Sequence, residues 1–207
     1  MKKEKFALFD FDDTLLKKDT MGHLYVYYLK KHPLKFYRAL ILAFKLIIYK
    51  LGFIPFLKVK EELIYPISQM TDEDLQVFYN ENLIPRYYPH VLETLNKHVA
   101  EGYHVWLVSA SPEPYLFCTD LKVEKILGTK VERKNGRWTN HIISKNCKNE
   151  EKVVRIQEVL DEMNIAIDYE NSYAYSDSTS DIPMLKLVKN RVRINKKNGE
   201  MSPFIIE

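Results

Sequence analysis

FALFDFDDTLL, residues 6–16, runs an apolar strand straight into three carboxylates, Asp10, Asp12 and Asp13. Strand side chains alternate between faces, so Asp10 and Asp12 point the same way if the strand continues through them. Clustered carboxylates repel, and burying them unpaired is costly, so a fold that keeps them holds a metal or does chemistry there. A charged turn after an edge strand is the competing reading of this segment taken alone.

Working outward, the same kind of apolar run recurs at His104–Ser109 (HVWLVS), after a helical period from Pro89 to Glu101 closed by Gly102. Shorter strands are predicted at Ser172–Ser176 (SYAYS) and Val192–Asn195 (VRIN). Asn135-Gly136, between strand-like flanks over 131–139, predicts a small β-hairpin. Residues 150–163 carry an apolar helical face of Val153, Val154, Ile156, Val159 and Leu160. Strands alternating with helices predict an α/β fold with a doubly wound, mostly parallel sheet. From Lys17 to Tyr88 there is no strand alternation, only helical stretches punctuated by Pro33, Gly52, Pro55, Pro66 and Pro85. The expected organisation is a core of residues 1–16 and 89–207 interrupted by a helical cap, 17–88. Ligands bind beyond the carboxyl ends of parallel strands, so this cap would hang over the crevice.

Composition narrows the class. With 207 residues and 46% hydrophobic content, the chain can build a real core, and disorder is not expected. Cys118 and Cys147 match no zinc spacing and read as reduced thiols, which suits a cytoplasmic protein. The apolar run Phe6–Phe9 is too short, and too soon cut by Asp10, for a secretory signal. The net charge of +3 hides an asymmetry: residues 20–60 contain eight of the 31 Lys and Arg residues and none of the 28 Asp and Glu residues. An acid-free block of this length suggests an anionic partner surface, although a solvated helical face is the usual meaning of a charge run.

Three further signals stand at strand ends or helix starts: Ser109 at the end of HVWLVS, Lys152 early in a helix, and Asp177 with Asp181 in YSDSTSDIPML. Singly, Ser109 reads as a turn residue, Lys152 as a solvated lysine, and the acids as an N-cap with its first turn. In combination and in this order they resemble the haloacid dehalogenase-like superfamily, on its phosphoserine-phosphatase-like branch. The resemblance rests on Asp10-Phe11-Asp12-Asp13-Thr14, Ser109, Lys152 and Asp177-Ser178-Thr179-Ser180-Asp181. It implies a Rossmann-like core with a class I helical cap, and phosphomonoester hydrolysis through an aspartyl phosphate. Asp10 would be the nucleophile and Asp12 the general acid and base. Thr14, Ser109 and Lys152 would handle the phosphoryl group. Mg²⁺ would be held by Asp10, the Asp12 backbone carbonyl and Asp177, with Asp181 as a direct or more distant partner. Asp13 stands where glycine is common in the superfamily. Lys145 and Lys148 are alternatives to Lys152, which has the better spacing.

The substrate is less legible. Asp19 falls near the place of an acid that binds the substrate amine in phosphoserine phosphatases, but Ala110-Ser111 replaces the glycine pair those enzymes carry after the serine. At 100° per residue, Lys31, Lys35, Arg38 and Lys45 fall within about 80° of one another, with Leu40, Ile41, Phe44, Ile47 and Ile48 largely elsewhere. That pattern fits a basic amphipathic helix on an anionic membrane, its lysines among headgroups. It equally fits a cap helix packed on the core or on a second subunit. KKHPLKF, YAYSDSTSDIPML and NRVRINKKNGE resemble the phosphatidylglycerophosphatase C type of this branch, which implies a lipid phosphate substrate. The alternatives are a small-metabolite phosphatase, a phosphate-sensing receiver-like module, and a non-catalytic membrane-surface module. Nucleic acid is not an expected partner, since runs such as ALILAF add little to phosphate or base contact.

Overall fold

In chain order the structure runs β1 (Lys2–Glu4), β2 (Phe6–Phe9), α1 (Thr20–Lys31), α2 (Tyr37–Lys50), α3 (Phe56–Leu63), α4 (Asp72–Phe78) and α5 (Pro89–Ala100). It continues through β3 (His104–Pro112), α6 (Glu113–Leu116), β4 (Lys125–Thr129), β5 (Val131–Lys134), β6 (Arg137–Ile142) and α7 (Glu150–Met163). The last elements are β7 (Ile165–Ile167), β8 (Tyr173–Ser176), α8 (Ile182–Leu185), β9 (Asn190–Ile194) and β10 (Met201–Pro203). This is a computed structural model, and it describes residues 1–206.

Six strands form one sheet in the order β10-β9-β8-β2-β3-β4, parallel except for the β9–β10 edge pair. β2 is apolar on both faces, and both are covered. Phe6 and Leu8 pack with Trp106, Ile156 and Leu185, whereas Ala7 and Phe9 pack with Val91, Leu95 and Leu107. A continuous apolar strand of this kind needs helices on each side of the sheet, and α5 and α7 supply them. The expected doubly wound α/β architecture is the one observed. In the hairpin β5–β6, Asn135 and Gly136 both take positive φ (50° and 77°), as a tight two-residue turn requires.

Several features depart from the sequence reading, the short strands β1, β7 and β10 among them. β4 was not foreseen, because KILGT is short and carries Lys125 and Gly128. Close packing demands the glycine: a Cβ there would lie 2.8 Å from Glu113 and 3.0 Å from the Ser111 carbonyl. Nor does β2 continue through the carboxylates. It ends at Phe9, and the chain turns back with Leu15 N–H donating to the Phe11 carbonyl at 2.9 Å. A turn, not strand alternation, therefore sets the direction of Asp10 and Asp12. Asp13 takes φ 57° in that turn, which explains why glycine suits the position, and its carboxylate accepts from Lys18 N–H at 2.8 Å.

Between β2 and β3 the chain is helical. It leaves and returns through adjacent backbone: Leu16 pairs with Tyr87, Lys17 N–H donates to Arg86 and Tyr88 N–H to Leu15, both at 3.0 Å. The basic helical face expected here is corrected. Lys31 ends α1 and Lys35 lies in a short 3-10 turn after Pro33, so only Arg38 and Lys45 share α2. These two turn inward, at 2.8 and 2.9 Å from the buried Glu62 of α3. An unpaired buried carboxylate is costly, so Glu62 dictates which face of α2 meets the protein.

Leu107, fully buried in β3, and Leu40, 74% exposed on α2, test this layout. Leu107→Ala should lower the unfolding free energy by about 2–5 kcal/mol. Leu40→Ala should change it by no more than about 0.5 kcal/mol, read from urea unfolding followed by tryptophan fluorescence.

Candidate active site

β2 and β8 are neighbours from which the chain departs in opposite directions: β3 and β4 lie beyond β2, and β9 and β10 beyond β8. The loops following them therefore diverge and open a crevice at their carboxyl ends. Asp10 stands just after β2 and Asp177 just after β8. Ser109 lies near the end of β3, where the register with β4 becomes irregular. Lys152, one turn into α7, is fully buried and reaches across to 2.6 Å from Asp10 and 2.9 Å from Asp181. Of the three lysines weighed from sequence, it is the one that meets the carboxylates.

Most of the sequence-selected residues come together, whereas Asp177 lines a separate cavity with Arg193 and Lys196. Asp10, Asp12, Ser109, Lys152 and Asp181 line one cavity of about 110 Å³. Thr14 is buried beneath it, donating to Asp10 at 3.2 Å and lying 3.5 Å from an Asp177 oxygen. Its hydroxyl also accepts the Asp177 N–H at 3.1 Å, so it joins the two acidic loops. The Asp181 contacts to Lys152 and to Ser176 Oγ fall on the same oxygen, Oδ2, which makes it the anchor that positions the lysine. Asp19 is exposed and caps α1, accepting from Met21 N–H at 2.9 Å.

Sequence reasoning missed the partners of Asp12. Oδ1 accepts the Thr20 N–H at 2.7 Å, and Oδ2 accepts the Ser111 hydroxyl at 2.5 Å. Tyr115, one helical turn beyond Ser111, donates to it at 2.7 Å. The available signal was Ser111 itself, a hydroxyl where the family's glycine pair is absent. Lys60 of α3 had no such signal. It is buried, and its ammonium donates to the Ala110 carbonyl (2.5 Å), Asn146 (2.5 Å) and Thr129 (3.0 Å), while burial pushes it down to about 8.

Electrostatics set the site's preference. Two buried carboxylates share the Lys152 ammonium, which leaves one negative charge in excess. Burial raises Asp10 well above the usual carboxylate range; Lys152 opposes that shift and Asp181 adds to it. Burial likewise pushes Asp12 up to about 6, against its hydrogen bonds from Ser111 and Thr20. Asp177 is raised by burial and by the charges of Asp13 and Asp181. Burial penalises the charge of Lys152, but its two carboxylates outweigh that and keep it cationic. No cluster of three His, Cys, Asp or Glu side chains able to hold a metal occurs among the described residues. The oxygens of Asp10 and Asp177, joined through Thr14, nevertheless fit a hard cation such as Mg²⁺, which uses one or two carboxylates and completes its shell with water and phosphate.

A carboxylate-lined crevice at the switch point of a doubly wound sheet, with a helical insertion after its first strand, marks an α/β enzyme. The chain belongs to the haloacid dehalogenase-like hydrolases, a family that matches residues 7–186. A histidinol-phosphatase of Neisseria meningitidis is 26% identical across 93% of this chain and 90% of its own length. Among solved structures, a Bordetella pertussis Tohama I protein of unknown function superposes with a TM-score of 0.79 at 23% identity, covering 93% of this chain and 90% of that one. A phosphoserine phosphatase holding a phospho-aspartyl intermediate analogue superposes with a TM-score of 0.60 at 18% identity, covering 93% and 87%. These structures share the fold. The likeness to phosphatidylglycerophosphatase C finds no support among these relatives.

Lys152→Met removes the ammonium from between two buried carboxylates and should cost about 3–5 kcal/mol of stability. Lys148→Met, at an exposed position beside the same cavity, should stay within about 0.5 kcal/mol of wild type in the same denaturation measurement.

Proposed function

We propose that this phosphatase hydrolyses small, polar phosphomonoesters through an aspartyl phosphate formed on Asp10, with Mg²⁺ as its metal. The observation that carries the reading is the Asp10–Lys152 contact of 2.6 Å beside a small cavity that Asp12 also lines. Asp10 attacks phosphorus and the ester oxygen leaves. Asp12, poised at about 6 by burial, protonates that oxygen and then takes a proton from the water that cleaves the aspartyl phosphate. Lys152 and Ser109 bind the non-attacking oxygens, where developing charge is stabilised. Thr14 and Asp181 act by positioning: the first braces Asp10 against Asp177, the second aims Lys152. Asp10, Asp177 and the Asp12 carbonyl would hold Mg²⁺, which would supply charge neutralisation between a carboxylate and a phosphate dianion.

The cavity lining supports this substrate class. Ser109, Ser178, Ser180, Lys148 and the carboxylates leave Ala110 as the one apolar residue there. Asp19 uses only Oδ1 to cap α1, which leaves Oδ2 for an ammonium on the substrate. A phosphorylated amino alcohol satisfies both, and the histidinol-phosphatase relative aligned over most of the chain supports that class. A lipid phosphate is the second reading, favoured by one observation, the exposed apolar side of α2. The free thiols Cys118 and Cys147 fit a cytoplasmic setting for either substrate.

A panel containing histidinol phosphate, phosphoserine, phosphatidylglycerophosphate and a generic aryl phosphate, with and without Mg²⁺, separates these readings. The amino-alcohol phosphates should be turned over fastest, and only with the metal. Asp12→Asn should lower kcat by about 10²–10⁴-fold. Asp10→Asn should abolish both turnover and the acid-stable label that a radioactive phosphate ester leaves on the wild-type protein; retained turnover would exclude Asp10 as nucleophile.

A further inference from the structure

We propose that α2 docks this protein on the surface of an anionic lipid bilayer, with its outward apolar stripe among the acyl chains. The inference is independent of the phosphatase reading. Tyr37, Leu40, Phe44, Ile47 and Leu51 recur at spacings of three and four, and so form one stripe about 21 Å long along the helix. All five are exposed, Leu40 by 74%, Phe44 by 62% and Leu51 by 64%. Leu34, Phe36 and Phe53 extend the apolar surface past both ends. No residue of α2 is fully buried. This is not a helix turned the wrong way, because its opposite face is already committed: Arg38 and Lys45 both engage Glu62, and Arg38 stacks on Tyr65 at 3.7 Å. A contiguous apolar surface of this kind marks an interaction site.

Charge selects the occupant. From residue 20 to 60 there is no Asp or Glu, while Lys30, Lys31 and Lys50 are exposed and Lys35 is partly so. Lys35 and Lys50 stand at the two ends of the stripe, and an apolar stripe flanked by basic residues complements anionic headgroups above acyl chains. A second copy is disfavoured, because a two-fold contact on this face brings the same lysines together from both chains. Among the described residues no helix is long and apolar enough to cross a membrane, so the contact lies on the surface.

The test is co-sedimentation of the full chain with phosphatidylcholine vesicles, with and without phosphatidylglycerol. Wild type should pellet with the anionic vesicles and remain largely free with the neutral ones. Leu40→Glu/Phe44→Glu/Ile47→Glu and, separately, Lys30→Glu/Lys35→Glu/Lys50→Glu should each weaken binding by roughly tenfold or more. Circular dichroism should match wild type in both variants, since these side chains are exposed or partly exposed, and this checks folding without reference to activity. The proposal fails if wild type stays in the supernatant, or if either variant binds as wild type does. It fails equally if wild type is a dimer by sedimentation that the apolar-to-Glu variant converts to monomer with no vesicle binding in either.

Discussion

Two buried carboxylates sharing one buried ammonium are the constraint on which the core depends. Asp10 follows β2, Lys152 belongs to α7, and Asp181 sits in the turn that leads into α8. None of the three can be dry and charged until the other two arrive, so the loops after β2 and β8 and the start of α7 are fixed together. The compensation is incomplete by design of the count: two negative charges face one positive. Burial raises Asp10, Asp12 and Asp177; the charge of Asp181 adds to the shift of Asp10, those of Asp13 and Asp181 to that of Asp177, and that of Asp19 to that of Asp12. Stability and chemistry thus draw on the same imbalance.

The helical insertion contributes to this site, not merely to its surroundings. The first N–H of α1 holds one oxygen of Asp12, and Lys60 of α3 holds the carbonyl of Ala110, next to Ser109. Lys60 has only neutral acceptors around it, so its charge is kept by hydrogen bonds and by the carboxylates farther off. Moving α1 and α3 away from the sheet would cost these bonds and free both the Asp12 carboxylate and the loop of Ser109. Position of the insertion and environment of Asp12 are therefore linked through named atoms.

The sheet and the acidic site were legible in sequence because both are written in local terms. β2 and β3 are apolar on consecutive residues, Asn135-Gly136 permits only a tight turn, and Asp10, Ser109, Lys152 and Asp177 each stand at an element boundary. What escaped depends on distant packing. β4 is strand because Gly128 lets Glu113 and the Ser111 carbonyl approach, a fact held by residues more than ten positions away. Ser111 and Tyr115 acquire meaning only when β3 brings them to Asp12, and Lys60 only when α3 lies against the end of β3.

α2 shows the same limit in its sharpest form. Helical periodicity correctly separates a basic side from an apolar side, but it assigns neither to solvent. The usual rule, apolar inward, does not hold here because the inward face of α2 is committed to the buried Glu62, which would cost about 3–5 kcal/mol if left unpaired. Once α3 carries that carboxylate into the interior, α2 must present Arg38 and Lys45 to it, and Leu40, Phe44 and Ile47 are turned out as a consequence. The exposed stripe is thus enforced by an ion pair on the other side of the helix. A surface maintained at that cost in water, with no acid within its stretch of chain to oppose an anionic partner, has the composition of a contact face and not of a solvated one.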